Sequence, residues 1–311
     1  MGALKLSGIT TLAEDIRCLT LIRPDGCELP SFAPGAHVDL HLGNDLVRQY
    51  SLINDGANAP RSYQVAVARD PHSRGGSAFV HDRLTEGMEI QVSAPRNHFP
   101  LVEDANHYVF IAGGIGVTPI YAMVRWCVAH GKSWQLAYAT RTAGRCAFRD
   151  QLQEFSQARL HHDDENKGVL DLTPYLEAPA VGTHLFCCGP QPLMTSVKDA
   201  TANWPTGSVH FEWFSAPAID SPSNQPFEVV LNRSGQRLLV RSDQTLLAAL
   251  REAGIPIASV CTEGVCGTCE TAVIAGEIDH RDQVLTEDEK AAGATMMVCC
   301  SRSRGTLVLD L

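Results

Sequence analysis

The sequence has few aromatic residues, fewer basic than acidic residues, and no long uninterrupted apolar run. Aromatic side chains make up 6% of the 311 residues, so an aromatic next to a motif carries more weight. Lysine and arginine number 25 against 35 aspartates and glutamates, and this balance argues against nucleic acids and anionic membranes as partners. The longest apolar stretch, residues 109–129, contains glycines, Pro119 and Arg125, which excludes a membrane span.

The start of the chain also shows no export signal. Met1–Leu6 are followed by mixed polar residues instead of the apolar core of a signal peptide, so we expect a cytoplasmic protein. The 11 cysteines are too sparse for a disulfide scaffold in a chain of this length. Those that follow residue 260 are crowded together, and in a reducing compartment such crowding indicates metal ligation.

Successive patterns of hydrophobicity predict a multi-domain protein. Residues 1–103 contain short alternating runs between turn residues, which predicts an antiparallel β-barrel. Over residues 104–215 apolar strands alternate with helices, which predicts a doubly wound parallel sheet. Residues 216–226 are rich in proline and serine and predict a linker. Short strands and one helix return in residues 227–311. Helices are expected over residues 78–83, 118–130, 147–158, 190–203 and 245–253.

A group of cysteines dominates the last part of the chain. Cys261, Cys266 and Cys269 have the spacing Cys-x4-Cys-x2-Cys, which with a distant fourth cysteine is typical of plant-type ferredoxins that hold a [2Fe–2S] cluster. Gly264 and Gly267 allow backbone N–H groups to turn toward the sulfurs and stabilise their negative charge. A structural zinc site is the alternative, but zinc ribbons usually contain two Cys-x2-Cys pairs and only one occurs here.

The fourth cysteine ligand is one member of an adjacent pair, Cys299 and Cys300. We expect a strand to return beside the cysteine loop and supply it. Neighbours on a strand point to opposite faces, so only one member of the pair is expected to face the cluster.

A glycine-rich turn follows the strand expected over residues 107–112. Gly113, Gly114 and Gly116 lead directly into a helix that begins near Thr118 and Pro119. Glycines admit a ligand close to the backbone, and the free N–H groups of a helix start suit a phosphate. The turn is therefore a candidate site for a nicotinamide dinucleotide, although it lacks the usual G-x-G-x-x-G pattern.

A second glycine turn strengthens this interpretation. The strand over residues 183–188 ends in Cys188-Gly189-Pro190, and ligands of open parallel sheets bind at the carboxyl ends of strands. The alternative for Cys188 is a small buried apolar residue. NADH is favoured over NADPH, but Arg141 and Arg145 follow the second strand of the sheet and leave NADPH open.

A candidate flavin site lies in the barrel region. Alternation places Arg48 and Tyr50 on one face, so that Arg48 can pair with a phosphate, Tyr50 can lie against a flat ring, and Ser51 can donate to a ring nitrogen. Gly76 and Ser77 then precede a short helix whose N–H groups suit a phosphate. The alternative for Tyr50 is a core residue of the barrel.

Taken in order, these motifs resemble those of the phthalate dioxygenase reductase group, which includes vanillate demethylase reductases, within the ferredoxin–NADP reductase superfamily. The resemblance covers nearly the whole chain. It rests on Arg48–Ser51, Arg74–Ser77, Pro95–Phe99, Ala112–Pro119, Cys188–Pro190, His210–Phe214, Cys261–Cys269 and Asp279–Asp282.

The resemblance implies FMN as the flavin, bound in a six-stranded barrel. By this resemblance Arg48 and Ser77 hold the phosphate, Tyr50 packs on the isoalloxazine, Ser51 reaches its redox-active edge, and Phe214 covers its other face. Nicotinamide is expected to enter near Thr118, Cys188 and Phe214, beside Gly189 and Pro190. Glu212 either orders that edge or is a plain surface strand residue.

The resemblance also selects Cys299, with Cys261, Cys266 and Cys269, as the cluster ligands. It implies a monomeric reductase that passes electrons from NADH through FMN and a [2Fe–2S] cluster to a Rieske-type oxygenase. The alternatives are a stand-alone NADH:acceptor flavin reductase, a pure electron carrier, a zinc-stabilised flavin oxidase, or a redox-sensing iron–sulfur protein.

Overall fold

The structure is a computed structural model that describes residues 2–43, 46–177, 179–216 and 224–311. The chain divides into two compact units, Met1–Phe214 and Ser215–Leu311, called unit 1 and unit 2 below. Most of the predicted linker, residues 217–223, lies outside the described residues. The residue-level boundaries between barrel, parallel sheet, linker and ferredoxin region stay a prediction.

Unit 1 begins with the predicted antiparallel barrel. Its 6 strands have the order β4-β3-β6-β1-β2-β5, and a bridge between Leu52 and Val65 joins the two edges. Alternate side chains point inward and are fully buried, as Leu19 and Leu40 show. The elements are β1 (Gly2–Ala13), β2 (Ile16–Ile22), β3 (His37–His41), β4 (Val47–Ser51), β5 (Ser62–Ala68), α1 (Gly76–Asp82) and β6 (Glu89–Val92).

A 5-stranded parallel sheet completes unit 1, with the order β11-β10-β7-β8-β9. The chain adds β8 and β9 on one side of β7 and then crosses to place β10 on the other side. The gap between β7 and β10 is therefore the switch point where such sheets bind ligands. The elements are β7 (His107–Gly113), α2 (Val117–Ala129), β8 (Ser133–Thr140), α3 (Arg149–Leu152), β9 (Ala158–His162), α4 (Asp163–Asn166), α5 (Thr173–Leu176), β10 (Thr183–Cys188), α6 (Gln191–Ala200) and β11 (Val209–Glu212).

The helix predicted over residues 147–158 is mostly wrong. Only α3 forms there, and Phe148 before it adopts a left-handed backbone with φ of 59°. Ala158 belongs to β9, because it pairs with Leu136 of β8 in the parallel ladder. Tertiary hydrogen bonding along the sheet therefore replaces the last turns of the expected helix.

Unit 2 is a mixed sheet with the strand order β13-β12-β18-β14-β16. β12 and β18 are parallel neighbours at its centre, which gives the β-grasp arrangement expected of a plant-type ferredoxin. Thr245 caps α7 by accepting a hydrogen bond from the Ala248 N–H at 3.1 Å. The elements are β12 (Phe227–Leu231), β13 (Arg237–Val240), α7 (Leu246–Glu252), β14 (Glu270–Ala275), β15 (Ile278–Asp279), α8 (Glu287–Ala292), β16 (Thr295–Met297), β17 (Arg302–Ser303) and β18 (Leu307–Leu309).

One hydrophobic core joins the barrel to the parallel sheet. Ile16 and Ile53 of the barrel side belong to the same buried cluster as Phe110 and Phe186 of the sheet. Phe99, in the connection between the two, packs edge-to-face on Phe186 with 5.6 Å between ring centroids. The core therefore fixes the barrel relative to the sheet. Each helix in the described part of the chain is too short or too polar to cross a membrane.

We expect Phe186→Ala to destabilise unit 1 by roughly 3–5 kcal/mol, because it removes a fully buried aromatic side chain and leaves a cavity. The measurement is urea unfolding followed by tryptophan fluorescence. Val181→Ala is the control, since Val181 is 94% exposed, and its free energy of unfolding should stay within about 0.5 kcal/mol of the parent. Equal effects from the two substitutions would contradict the shared core.

Candidate functional site

Arg48 lies across the start of α1, as the sequence predicts. Its guanidinium donates to the Val47 and Arg74 carbonyls, at 2.8 Å each. A Cβ on Gly76 would come within 2.6 Å of Arg48 Cγ, so only glycine permits this approach. The structure therefore brings Arg48, Gly76 and Ser77 together, with positive charge beside the N–H groups of a helix start. This combination suits a phosphate.

Tyr50 lies on the same face of β4 as Arg48, two residues along the strand. It is half-buried and packs partly against the barrel core. Burial raises the pKa of its hydroxyl well above the ordinary value, although the positive charge of Arg48 opposes the shift. The ring remains neutral and partly accessible, which are the properties that stacking on a flat ligand requires.

The two predicted glycine turns meet at the switch point of the parallel sheet. Ala112 and Cys188, the last paired residues of β7 and β10, are in register. A Cβ on Gly116 would lie 2.7 Å from the Gly189 nitrogen, and one on Gly113 would lie 2.6 Å from Pro190 Cδ. Any side chain at these positions would separate the two turns. The glycines thus allow backbone to pack on backbone and form one crevice.

Within this crevice Gly114 and Thr118 have different surroundings. A Cβ on Gly114 would meet nothing within 4 Å, so its backbone faces open space. Thr118 is only 2% exposed, and its hydroxyl donates to the Ile115 carbonyl at 3.0 Å. In this arrangement Thr118 stabilises the turn, and its oxygen can still accept a hydrogen bond.

The barrel meets the carboxyl edge of the parallel sheet through side chains of three strands. Ser51, buried at the end of β4, hydrogen-bonds with Glu212 at the end of β11. Cys188, at the end of β10, is fully buried beside Glu212. The predicted residues Ser51 and Cys188 therefore reach one site, with Glu212 between them.

Glu212 has an unusual protonation state. Burial raises the pKa of its carboxyl to about 8, and the hydrogen bond from Ser51 opposes this shift only in part. Its Oε2 is buried with no hydrogen-bond partner among the described residues. Burial, the nearby Glu212 and Cys187 also raise the pKa of the Cys188 thiol. At neutral pH both side chains thus carry protons. Glu212 as a whole is half-buried, and its role at this edge stays a prediction.

Phe214 lies two residues beyond Glu212 at the end of unit 1. It is one of the few large apolar side chains that are well exposed, at 43%. An exposed aromatic at the mouth of a polar site is available to cover a ligand. Its role in covering the flavin stays a prediction.

The four predicted cluster ligands converge in unit 2. Cys266, Cys269 and Cys299 are buried, and Cys261 is half-buried. Hydrogen bonds connect the thiol of Cys299 with those of Cys261 and Cys269, and the thiol of Cys261 with that of Cys266. Left-handed backbone at Thr262, with φ of 59°, helps to wind the loop around these sulfurs.

The surroundings of Cys261 fit an anionic sulfur. Hydrogen bonds from the Cys266 and Cys299 thiols, and from the Glu263 and Val265 N–H groups, lower the pKa of the Cys261 thiol. The Glu263 N–H donates to Cys261 Sγ at 3.3 Å. Such N–H donors are the usual partners of cluster thiolates. The residues present therefore fit a [2Fe–2S] cluster.

No three histidine, cysteine, aspartate or glutamate side chains in the described ranges are arranged to hold a single metal ion. A two-iron cluster has a different requirement, because it takes two thiolates on each iron.

The expectation that Cys299 and Cys300 point to opposite faces of a strand is wrong. β16 ends at Met297, and residues 298–300 form a turn in which the Cys300 and Ser301 N–H groups both donate to the Met297 carbonyl, at 3.2 and 3.0 Å. Strand alternation does not apply in a turn. The Cys300 thiol consequently reaches the thiol of Cys299.

Asp282 supports the cysteine loop from behind. It is 1% exposed, and its carboxylate accepts hydrogen bonds from the N–H groups of Val284 at 3.2 Å and Leu285 at 2.9 Å. The neighbouring Gln283 N–H donates to the Gly264 carbonyl at 2.9 Å. The sequence indicates Asp282 only as part of a resembling motif. Its role depends on contacts between distant parts of the chain, as does that of Glu212.

Comparisons with known proteins agree with this geometry. Residues 110–199 match the family model of the oxidoreductase NAD-binding domain. Residues 229–304 match that of the 2Fe-2S iron-sulfur cluster binding domain. The first match contains the glycine crevice, and the second contains the cysteine loop. The expectation of a nicotinamide domain joined to a plant-type ferredoxin domain is confirmed.

The chain is 43% identical to the phthalate 4,5-dioxygenase oxygenase reductase subunit of Pseudomonas putida, covering 99% of this chain and 96% of that one. The crystal structure of an intact type IV self-sufficient cytochrome P450 monooxygenase matches with a TM-score of 0.93 and 42% identity, over 99% of this chain and 41% of that chain. The solved structure of phthalate dioxygenase reductase matches with a TM-score of 0.74 and 41% identity, over 100% of this chain and 98% of that one. The chain belongs to the phthalate dioxygenase reductase family of oxidoreductases.

Proposed function

We propose that this chain carries electrons from NADH, through FMN and a [2Fe–2S] cluster, to a Rieske-type oxygenase component. The observation that carries the proposal is the meeting of Ser51 with Glu212 and Cys188, because it brings the predicted flavin site of the barrel to the nicotinamide crevice. In this proposal residues 1–103 bind FMN, residues 104–215 bind NADH, residues 216–226 link them to the rest, and residues 227–311 hold the cluster.

The barrel residues bind and orient FMN. Arg48, Gly76 and Ser77 hold its phosphate with one cation and the N–H groups of a helix start. Tyr50 lies against the ring, and Ser51 donates toward its redox-active edge. Phe214 would cover its other face.

The sheet residues position the nicotinamide. Gly113, Gly114, Gly116 and Gly189 admit the dinucleotide to the backbone at the switch point, where Thr118 fixes the turn and Pro190 limits the crevice. Cys188 is a neutral thiol at the end of this crevice. Because it is fully buried, it excludes water from the place where the rings would meet.

Bound FMN accepts a hydride and releases electrons one at a time, which is the form that the cluster carries. Glu212 keeps a proton up to a pH of about 8 and shares a hydrogen bond with Ser51. Ser51 and Glu212 therefore hold a proton beside the place where the flavin edge is expected. In unit 2, Cys261, Cys266, Cys269 and Cys299 hold the cluster.

The proposed electron acceptor is inferred from the names of similar proteins. The reductase subunit of Pseudomonas putida belongs by its name to an oxygenase system, which supports an oxygenase partner. A Rieske-type partner, a monomeric state and a cytoplasmic location are part of the proposal, since cluster thiolates need a reducing compartment. A haem acceptor is the second candidate, because this chain matches part of a self-sufficient cytochrome P450 monooxygenase.

The first test is anaerobic titration of the purified holoprotein with NADH, followed by absorption spectroscopy. We expect a flavin band and a broad red-brown cluster band, and both should bleach with NADH more readily than with NADPH. The reduced protein is then mixed with an oxidised Rieske-type oxygenase or with an oxidised P450 haem domain. Faster reduction of the Rieske centre is the expected result.

Each other outcome replaces part of the proposal. A flavin band without a cluster band in iron-replete protein indicates a stand-alone flavin reductase or a zinc-stabilised flavin oxidase. A cluster without bound flavin leaves a pure electron carrier. Bleaching of both bands without turnover of any acceptor favours a redox sensor, and faster reduction of the haem domain replaces the Rieske partner.

We expect Arg48→Ala to weaken FMN binding roughly ten- to hundredfold, because it removes charge-assisted hydrogen bonds to the phosphate. Flavin fluorescence during titration of the apoprotein with FMN measures the affinity. Arg61→Ala, at an exposed position of the barrel, is the control and should bind FMN normally. A parental affinity for FMN in Arg48→Ala would remove Arg48 from the flavin site.

The buried Glu212 predicts a pH-dependent stability. Its pKa rises from 4.5 in the unfolded chain to about 8 in the folded one, so between these values the folded state keeps a proton that the unfolded state has lost. Stability is therefore present at low pH and is lost as the pH rises toward 8. Glu212→Gln should remove this loss, on the order of a few kcal/mol.

Urea unfolding of unit 1 at about pH 5.5 and about pH 8.5 measures this difference. The exposed Glu154→Gln is the control and should retain the pH dependence of the parent. Identical pH dependence in Glu212→Gln and the parent would mean that Glu212 is ionised in the folded protein over this whole pH range.

A further inference from the structure

The cysteine loop of unit 2 is surrounded by one more thiol than a cluster needs. All five cysteines of this unit lie together: Cys261, Cys266, Cys269, Cys299 and Cys300. The remaining cysteines of the chain all belong to unit 1. The proposed cluster uses four thiolates, so one of these five cysteines is not needed as a ligand.

Two contacts place Cys300 on the loop itself. A Cβ on Gly264 would collide with Cys300 Sγ, so the sulfur lies directly against the backbone between Cys261 and Cys266. Gly264 has a left-handed backbone with φ of 77°, and Asp282 Cα closes the same side at 3.1 Å from the hypothetical Cβ. The loop therefore has room for the Cys300 thiol only because residue 264 has no side chain.

Cys300 also lies beside the fourth ligand. Cys299 and Cys300 belong to the same turn, and their thiols lie close together. The weaker polar neighbours of Cys300 Sγ are the Met297 carbonyl and Ser301 Oγ, each at 3.8 Å. No strong partner among the described residues fixes this sulfur away from the loop. The two sulfurs belong to adjacent residues of one turn.

We propose that Cys300 is a reserve ligand of the cluster site that can take the place of Cys299 on the same iron. In the exchange Cys300 loses its proton as its sulfur binds iron, and the released Cys299 sulfur takes up a proton, so that no electron is gained or lost. Cys300 is half-buried and Cys299 is 3% exposed. The exchange therefore moves the ligand toward the more accessible sulfur. The inference rests on the proposed [2Fe–2S] cluster.

The test compares Cys299→Ala, Cys300→Ala, the double variant and the parent as full-length holoproteins. Iron and sulfide analysis, visible absorption and EPR of the reduced proteins are measured. Cys299→Ala should keep the iron content of the parent and show all-thiolate absorption with shifted EPR g-values. Cys300→Ala should resemble the parent, and the double variant should lose the cluster while it retains flavin.

Cys261→Ala is the matched control. The proposal lets Cys300 replace Cys299 alone, so we expect this control to lose the cluster. Loss of iron from Cys299→Ala with normal flavin content overturns the inference, as does equal cluster content in Cys299→Ala and the double variant. If the parent protein itself contains no iron, the proposed function is wrong.

If Cys299→Ala does not accumulate, Cys299→Ser preserves the shape of the side chain. Resonance Raman spectroscopy then distinguishes Fe–S from Fe–O ligation. An all-sulfur spectrum in Cys299→Ser, lost in Cys299→Ser/Cys300→Ala, supports Cys300 as the ligand. An oxygen-ligated spectrum contradicts it.

Discussion

The close approach of two backbone turns at the switch point determines what unit 1 can bind. Gly116 and Gly189 meet there with no side chain between them, so β7 and β10 end side by side and leave their N–H groups accessible. A helix start alone would attract any anion. Two turns that meet side by side add a requirement of shape to this attraction. One β-carbon at either glycine would separate the strands, and therefore the specificity of the site depends on steric exclusion as much as on charge.

The shared core turns this crevice into a site for two ligands. Phe99 and Phe186 pack between barrel and sheet, and this contact sets the position of Ser51 relative to Glu212. Ser51 and Glu212 interact at this junction, and burial there favours the neutral form of the Glu212 carboxyl. The raised pKa of Glu212 thus follows from the way the two folds are joined. The same packing that stabilises unit 1 keeps a proton where the flavin edge is expected.

The sequence predicted most of the fold, because regular elements leave a periodic pattern. α2 begins and ends one residue before the predicted range of 118–130. The pattern failed at residues 147–158, where the spacing of Leu152 and Phe155 suits a helix although only α3 forms and turns lead into β9 at Ala158. It also did not reveal that Glu212 is buried, because that depends on Ser51, which lies far away in the chain. Motifs locate candidate residues, and packing decides their protonation and partners.

The turn after β16 determines where the Cys300 thiol lies. On a strand Cys300 would point away from Cys299, and its thiol would have no relation to the cluster loop. Because Met297 ends the strand and its carbonyl accepts two N–H groups, the side chains of Cys299 and Cys300 are released from alternation and both sulfurs lie on the loop side. Gly264 provides the matching space. Two separate features of the chain therefore combine to admit a fifth thiol, and neither one alone would have admitted it.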